Sequence, residues 1–194
     1  MSFISREVKP YFEKSIEPFV EFLSRKNVRP NHITVAGLLL VGAGSLFLYT
    51  GFTLPSLILL GAGALLDAVD GSLARKTDSH SEFGAFLDST TDRVADALPF
   101  LALGVMYSRE AEVLGTLLSF LALIGSYGVS YTKARAEALG VYGLGGLFER
   151  TERWVVLLVG IAVDMIFVAL FVIIVGSIFT TLQRVYEVMK SLRG

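Results

Sequence analysis

The sequence predicts an all-α, polytopic membrane protein: six transmembrane helices preceded by an N-terminal interfacial amphipathic helix. Three observations carry this prediction. The 194 residues are 53% hydrophobic, with a mean hydropathy of +0.63. Only 18% are charged, where a soluble domain carries about a quarter. Those charges are gathered between long apolar blocks rather than spread through them. The net charge of −1 argues against a nucleic-acid partner. The lack of any cysteine excludes disulfides and thiolate metal sites.

Residues 1–30 form the interfacial segment. Ile4, Val8, Tyr11, Phe12, Ile16, Phe19 and Leu23 recur at helical spacing with Lys and Glu between them, the pattern of a helix lying among lipid headgroups. A helix packed on the bundle without touching headgroups is the other reading. Pro10 and Pro18 are expected to break or kink it. Some 32 residues precede the first apolar block, so a cleaved signal peptide is not expected.

Residues 31–194 hold the bundle. A helix needs roughly 20 mostly apolar residues to cross the ~30 Å hydrocarbon layer. The candidates are about 33–51, 55–75, 82–107, 111–135, 146–164 and 166–187. The fifth is the weakest, because its apolar run from Trp154 to Val163 is short. A single membrane domain over 1–194 is the expected organisation. Positive charge orients it. Arg6, Lys9, Lys14, Arg25, Lys26 and Arg29 precede the first span, and Arg75 and Lys76 enter the second–third connection. Lys133, Arg135, Arg150 and Arg153 flank the fourth–fifth connection; Arg184, Lys190 and Arg193 close the chain, and the opposite connections hold only Arg109. Both termini are therefore expected in the cytoplasm, in an integral, multi-pass protein of the cell membrane.

Ionisable groups inside membrane helices cost at least ~2.5 kcal/mol each near the centre and mark function by default. Four aspartates fall in two adjacent spans, in the run Asp67-Ala68-Val69-Asp70-Gly71-Ser72-Leu73-Ala74-Arg75, then eight residues, then Gly84-Ala85-Phe86-Leu87-Asp88-Ser89-Thr90-Thr91-Asp92. At 100° per residue, Asp67, Asp70, Gly71 and Ala74 cover about 100° of one helix, and Gly84, Asp88 and Asp92 about 80° of the next. If residues 76–83 connect two antiparallel helices, the carboxylates face each other in two layers below the cytoplasmic surface. Four such groups stay ionised in a low-dielectric site only with cations. Two divalent ions balance them, and all-oxygen ligation favours Mg²⁺ or Mn²⁺. Gly71, Ala74 and Gly84 clear space for a bulky ligand, and Arg75 offers a planar fork for phosphate oxygens. Gly61, Ala64, Ala68 and Gly71 also make a small-residue stripe of the kind that packs membrane helices. Asp96 with Arg93 at i, i+3 reads as a structural pair. Asp164 reads as a solvated helix end, and His32 and His80 as surface residues.

The run from Asp67 to Asp92 resembles, without gap or substitution, the signature D-x2-D-G-x2-A-R-x8-G-x3-D-x3-D of the CDP-alcohol phosphotransferases. Arg29-Pro30-Asn31-His32-Ile33-Thr34 resembles the motif that opens that family's first span. The resemblance implies that a CDP-linked lipid binds with its diphosphate on two metal ions, that an acceptor hydroxyl attacks the β-phosphorus, and that CMP leaves. It implies that Asp67, Asp70, Asp88 and Asp92 are metal ligands and that Asp92 is also the catalytic base. Gly71, Ala74 and Gly84 then line the nucleotide, Arg75 contacts the diphosphate, and Asn31 and Thr34 lie near the cytidine. Asp92 is expected to take its proton late, as the phosphorus–oxygen bond forms, because a carboxylate beside a cation is a weak base. A homodimer is also implied.

Lys133, Arg135, Arg150 and Arg153 are candidates for binding the phosphate of an anionic acceptor. An ordinary positive-inside loop paired with Glu149, Glu152 and lipid phosphates is the alternative. The strings Lys133–Glu137 and Glu149-Arg150-Thr151-Glu152-Arg153 resemble the phosphatidylinositol-phosphate and archaetidylinositol-phosphate synthase branch, which implies inositol 1-phosphate as acceptor; Thr151 stands where that branch often has proline. Phosphatidylglycerolphosphate synthesis and di-inositol phosphate synthesis from CDP-inositol are the enzymatic alternatives. A divalent-cation transporter is the distant one, disfavoured because a pore explains neither Arg75 nor Gly84.

Overall fold

The structure is a computed structural model that describes residues 9–79 and 81–193; Ile4, Arg6, Val8 and His80 lie outside the described residues. The described residues form seven α-helices: α1 (Lys9–Arg25), α2 (Pro30–Tyr49), α3 (Thr53–Lys76), α4 (Glu82–Arg109), α5 (Val113–Ala138), α6 (Arg150–Ala162) and α7 (Ile166–Arg193). They divide into two compact units at Leu103–Gly104.

In the first unit α1 packs on α3. Val20 and Leu23 of α1 join Ile33, Val69 and Leu73 in one buried cluster, with Ile16, Val28 and Leu66 against it. The prolines do not end the helix as expected. Pro10 falls in the first turn, where its missing N–H costs nothing, and α1 continues through Pro18. Pro18 and Lys14, whose carbonyl loses its donor, are both exposed, so solvent or headgroups can satisfy that oxygen. Asn27 takes a left-handed φ of 53°, which asparagine tolerates, and Pro30 opens α2.

Helices α2 and α3 form a tightly packed hairpin with a constant antiparallel register. Thr34 meets Asp70, Gly37 meets Leu66 and Asp67, Val41 meets Gly63, and Gly44 meets Leu60. Glycine is required at these crossings. A β-carbon on Gly44 would stand 2.9 Å from the Leu60 amide nitrogen, and one on Gly63 would stand 3.0 Å from the Gly37 carbonyl oxygen. Gly61, the first residue of the small-residue stripe, is not at these crossings: a β-carbon on it would meet nothing within 4 Å. Helix α4 starts where the Gly84 N–H donates to Ser81 Oγ at 3.0 Å, a hydroxyl capping an orphan helix donor.

In the second unit α7 packs against both α5 and α6. Gly125 of α5 lies against Ser177, and Gly160 of α6 against Ala169. Helix α6 has 13 residues, about 20 Å of rise, less than the hydrocarbon thickness. The predicted fifth span is therefore helical only from Arg150. The segment before it turns through Gly140 (φ 79°) and Gly143 (φ 75°) and is pinned by side chains. The Phe148 N–H donates to Thr180 Oγ1 at 3.0 Å, and Arg184 Nε donates to the Gly145 carbonyl at 3.0 Å.

Helices α2, α3, α5 and α7 are long and apolar enough to cross a membrane. Their outward faces leave Leu39, Leu46, Ile58, Leu65, Ile124, Phe171 and Val175 exposed, as suits hydrocarbon rather than water. The chain is an integral membrane protein.

Candidate active site

The α3–α4 connection turns through Asp78 (φ 48°), and the helices on either side carry the signature. Asp67, Asp88 and Asp92 come together: one carboxylate oxygen from each lies within 4.8 Å of the other two. An octahedral Mg²⁺ with ligands at 2.0–2.1 Å spans about 4.2 Å between opposite oxygens, so small adjustments would seat such an ion. The donors are hard oxygens with no thiolate or imidazole among them, which fits Mg²⁺ or Mn²⁺. Nearby hydroxyls are bonded to helix carbonyls: Ser72 to Ala68, Thr90 to Phe86 and Thr91 to Leu87. Arg93 Nη1 donates to the Ser89 carbonyl at 2.7 Å and reaches Asp92 Oδ2 at 3.5 Å.

Asp70 is not one of these three. It is buried, 4% exposed, and Oδ2 accepts a 2.6 Å hydrogen bond from Thr34 Oγ1. Thr34, assigned to the cytidine by the resemblance, thus engages the signature itself. Asn31 lies beside Gly84: a β-carbon on that glycine would stand 3.5 Å from Asn31 Oδ1 and 2.9 Å from Ser81 Oγ. The serine cap thus borders the space beside Gly84. A β-carbon on Gly71 would meet only Arg75 Nη1, at 3.6 Å, so the guanidinium lies over that glycine. Arg75 Nη2 is held by Glu13 Oε1 at 2.8 Å and Ser72 Oγ at 3.0 Å. A second, longer contact joins Lys76 Nζ to Glu21 Oε2 at 3.9 Å. Glu13 was not singled out in the sequence. Its signal is a carboxylate on the flank of the apolar face of α1.

In the second unit, Lys133 and Arg135 are exposed near the end of α5, Arg150 is half-buried and Arg153 buried in the first turn of α6. Arg184, read from sequence only as a closing positive charge, is buried. Nη1 donates to the Val129 carbonyl at 2.5 Å, Nε to Gly145, and Nη2 pairs with Glu149 Oε1 at 3.3 Å. Glu149 caps α6, and its N–H donates to Glu152 Oε2 at 3.1 Å. The buried arginine thereby fixes the start of the helix that carries Arg150 and Arg153.

The sequence profile of the CDP-alcohol phosphatidyltransferases matches residues 27–188. An uncharacterised protein of Aquifex aeolicus is 57% identical, over 99% of this chain and 98% of its own. The archaetidylinositol phosphate synthase of Pyrococcus horikoshii is 36% identical, over 96% of this chain and 97% of its own. Crystal structures of the Mycobacterium tuberculosis phosphatidylinositol phosphate synthase are 31% identical to this chain. The one with manganese and citrate superposes with a TM-score of 0.80 over 89% of this chain and 88% of that one. The one with CDP-DAG bound gives 0.79 over 88% and 92%.

Proposed function

Because the chain belongs to the CDP-alcohol phosphatidyltransferase family, we propose that it transfers a phosphatidyl-type group from a CDP-linked lipid to a hydroxyl of an inositol phosphate, releasing CMP. The observation that carries the chemistry is the meeting of Asp67, Asp88 and Asp92 within 4.8 Å on helices of a membrane protein. Relatives named for inositol phosphate products, and one with CDP-DAG bound, support the substrates.

Asp67, Asp88 and Asp92, with Asp70, would hold two divalent ions, which supply charge neutralisation to the donor diphosphate when bound. Gly71, Ala74 and Gly84 line the nucleotide, Asn31 lies near the cytidine, and Arg75 takes diphosphate oxygens through its fork. The acceptor hydroxyl oxygen forms a bond to the β-phosphorus while the phosphoanhydride bond breaks, and its electron pair leaves on CMP. Asp92 receives the hydroxyl proton. Lys133, Arg135, Arg150 and Arg153 bind the acceptor's phosphate. The chain acts as one membrane-embedded domain over 1–194, in which residues 1–30 lie on the lipid interface and α4 and α6 complete six spans. The excess of Lys and Arg beside one set of connections supports cytoplasmic termini and a cytoplasmic active site. The functional form is a homodimer.

An acceptor screen on the purified protein tests this reading. Inositol 1-phosphate, glycerol 3-phosphate, serine and free inositol are offered with CDP-diacylglycerol, CDP-archaeol and CDP-inositol, and CMP release is measured. Release with inositol 1-phosphate and a CDP-lipid is expected, with Arg150→Ala and Arg153→Ala raising the acceptor KM about tenfold or more and sparing the donor KM. Turnover with uncharged inositol but not its phosphate would refute the anionic acceptor.

A further inference from the structure

Thr34 and Asp70 are both buried, at 8% and 4% exposure, and are joined by a 2.6 Å bond between α2 and α3. The threonine hydroxyl has one proton to give. Its other neighbour, the Pro30 carbonyl oxygen, stands at 3.3 Å, beyond the usual range for O–H···O bonds. The carboxylate at 2.6 Å falls in the range of charge-assisted bonds and takes the proton. The direction of that hydroxyl is itself constrained. A helical threonine has two favoured χ1 wells, one of which turns Oγ1 back along the helix toward the carbonyl one turn earlier, as the Pro30 distance shows here. The separation of the helices is constrained too, by the glycine crossings at Gly37, Gly44 and Gly63. One oxygen of Asp70 is thus tethered from a neighbouring helix.

We propose that Thr34 is a positioning residue for Asp70. Its hydroxyl fixes the rotation of the carboxylate, so that one oxygen is committed to α2 and the other is preset for a divalent cation. This rests on the reading of Asp70 as a metal ligand and gives Thr34 a role other than contact with the nucleotide. Hydrogen-bond partners of metal ligands orient them, and losing one costs about 10–100-fold in metal affinity or activity.

The test is Mn²⁺ binding to the purified full-length chain in detergent, read from the electron paramagnetic resonance signal of free Mn²⁺, with the donor KM measured alongside. Thr34→Val keeps the shape and removes the hydroxyl; it is expected to weaken Mn²⁺ binding about tenfold or more. Thr34→Ser restores the donor and is expected to stay within about threefold, a rescue that a purely steric role for the threonine would not give. Asp70→Asn is expected to weaken binding as well. Thr34→Ala makes the same comparison if valine is not accommodated. Undiminished Mn²⁺ affinity in both hydroxyl-free variants, with weakened binding in Asp70→Asn, overturns the positioning role and leaves the ligand standing. Undiminished affinity in Asp70→Asn overturns the ligand reading itself. A raised donor KM in Thr34→Val at unchanged Mn²⁺ affinity assigns Thr34 to the nucleotide and also overturns the proposal.

Discussion

Gly63→Ala probes how tightly the α2–α3 hairpin is built. A β-carbon there would stand 3.0 Å from the Gly37 carbonyl oxygen, 3.2 Å from the Val41 amide nitrogen and 2.6 Å from Val41 Cγ2. Carbons pack at about 3.5–4.0 Å, so the valine methyl would be about 1 Å too close. Val41 cannot simply turn away, because a β-branched residue in a helix has one dominant rotamer. The other two blocking atoms are backbone, so the helices must part by some tenths of an ångström. The Thr34–Asp70 bond spans the same gap at 2.6 Å and would lengthen with it. Overpacking costs about 1–3 kcal/mol, and weakening a bond to a charged group adds about 1 kcal/mol. The expected loss is thus about 2–4 kcal/mol. Gly61→Ala is the control: its new methyl meets nothing within 4 Å, so the change is expected to be neutral or to stabilise by up to about 1 kcal/mol. Unfolding of both variants in mixed micelles of rising denaturing-detergent fraction measures the difference. Equal midpoints for Gly63→Ala and wild type, or a greater loss in Gly61→Ala, would refute the close-packed register.

Two further predictions concern ion pairs. Glu13 and Arg75 are 39% and 51% exposed in their side chains, so their pair is worth at most about 1 kcal/mol, or roughly fivefold. Glu13→Ala is expected to raise the donor KM within that limit and to have no effect in an Arg75→Ala background; an equal effect in both backgrounds would show that the two residues act independently. Arg184→Met keeps the apolar stem of a side chain that is 2% exposed and strips Glu149 and two carbonyls of their donor. The expected loss is about 3 kcal/mol or more in the same unfolding assay, and a loss below about 1 kcal/mol would refute the anchoring role.

Much of this molecule was legible in its sequence because membrane burial makes charge conspicuous. The fixed spacing of Asp67, Asp88 and Asp92 on two helices joined by a short link predicted that they would meet, and they do. Asn31 and Gly84, taken from separate motifs, also come together. Asp70 has a tie that its spacing does not announce, since helical angles place residues around one helix but do not reveal which neighbour claims a side chain. Thr34 claims it from α2, a contact 36 positions away in sequence that periodicity cannot specify. Gly61 of the small-residue stripe departs from its expected packing for a similar reason. Spacing finds glycines on a common face, yet only the packed structure shows that Gly63 faces α2 while Gly61 is open. The fifth span begins later than its apolar pattern suggests: a glycine-rich stretch held by Arg184 and Thr180 precedes the helix, and periodicity cannot tell such a stretch from a helical one. Helix α1 continues through Pro18 rather than breaking there, because an outward-facing carbonyl can find another partner.

The link Thr50–Phe52, with Gly51 at φ 81°, lies at the end of the hairpin away from the aspartates, about 24 Å from Thr34 by helical rise. Yet it sets the count by which Thr34 arrives opposite Asp70. One residue added to either helix beside it would advance the remaining pairs by about 1.5 Å and turn them by 100°. Every glycine would then confront the wrong neighbour, and the threonine would face past its carboxylate. A three-residue corner with no chemistry of its own therefore works as the ruler for the distant Thr34–Asp70 pairing.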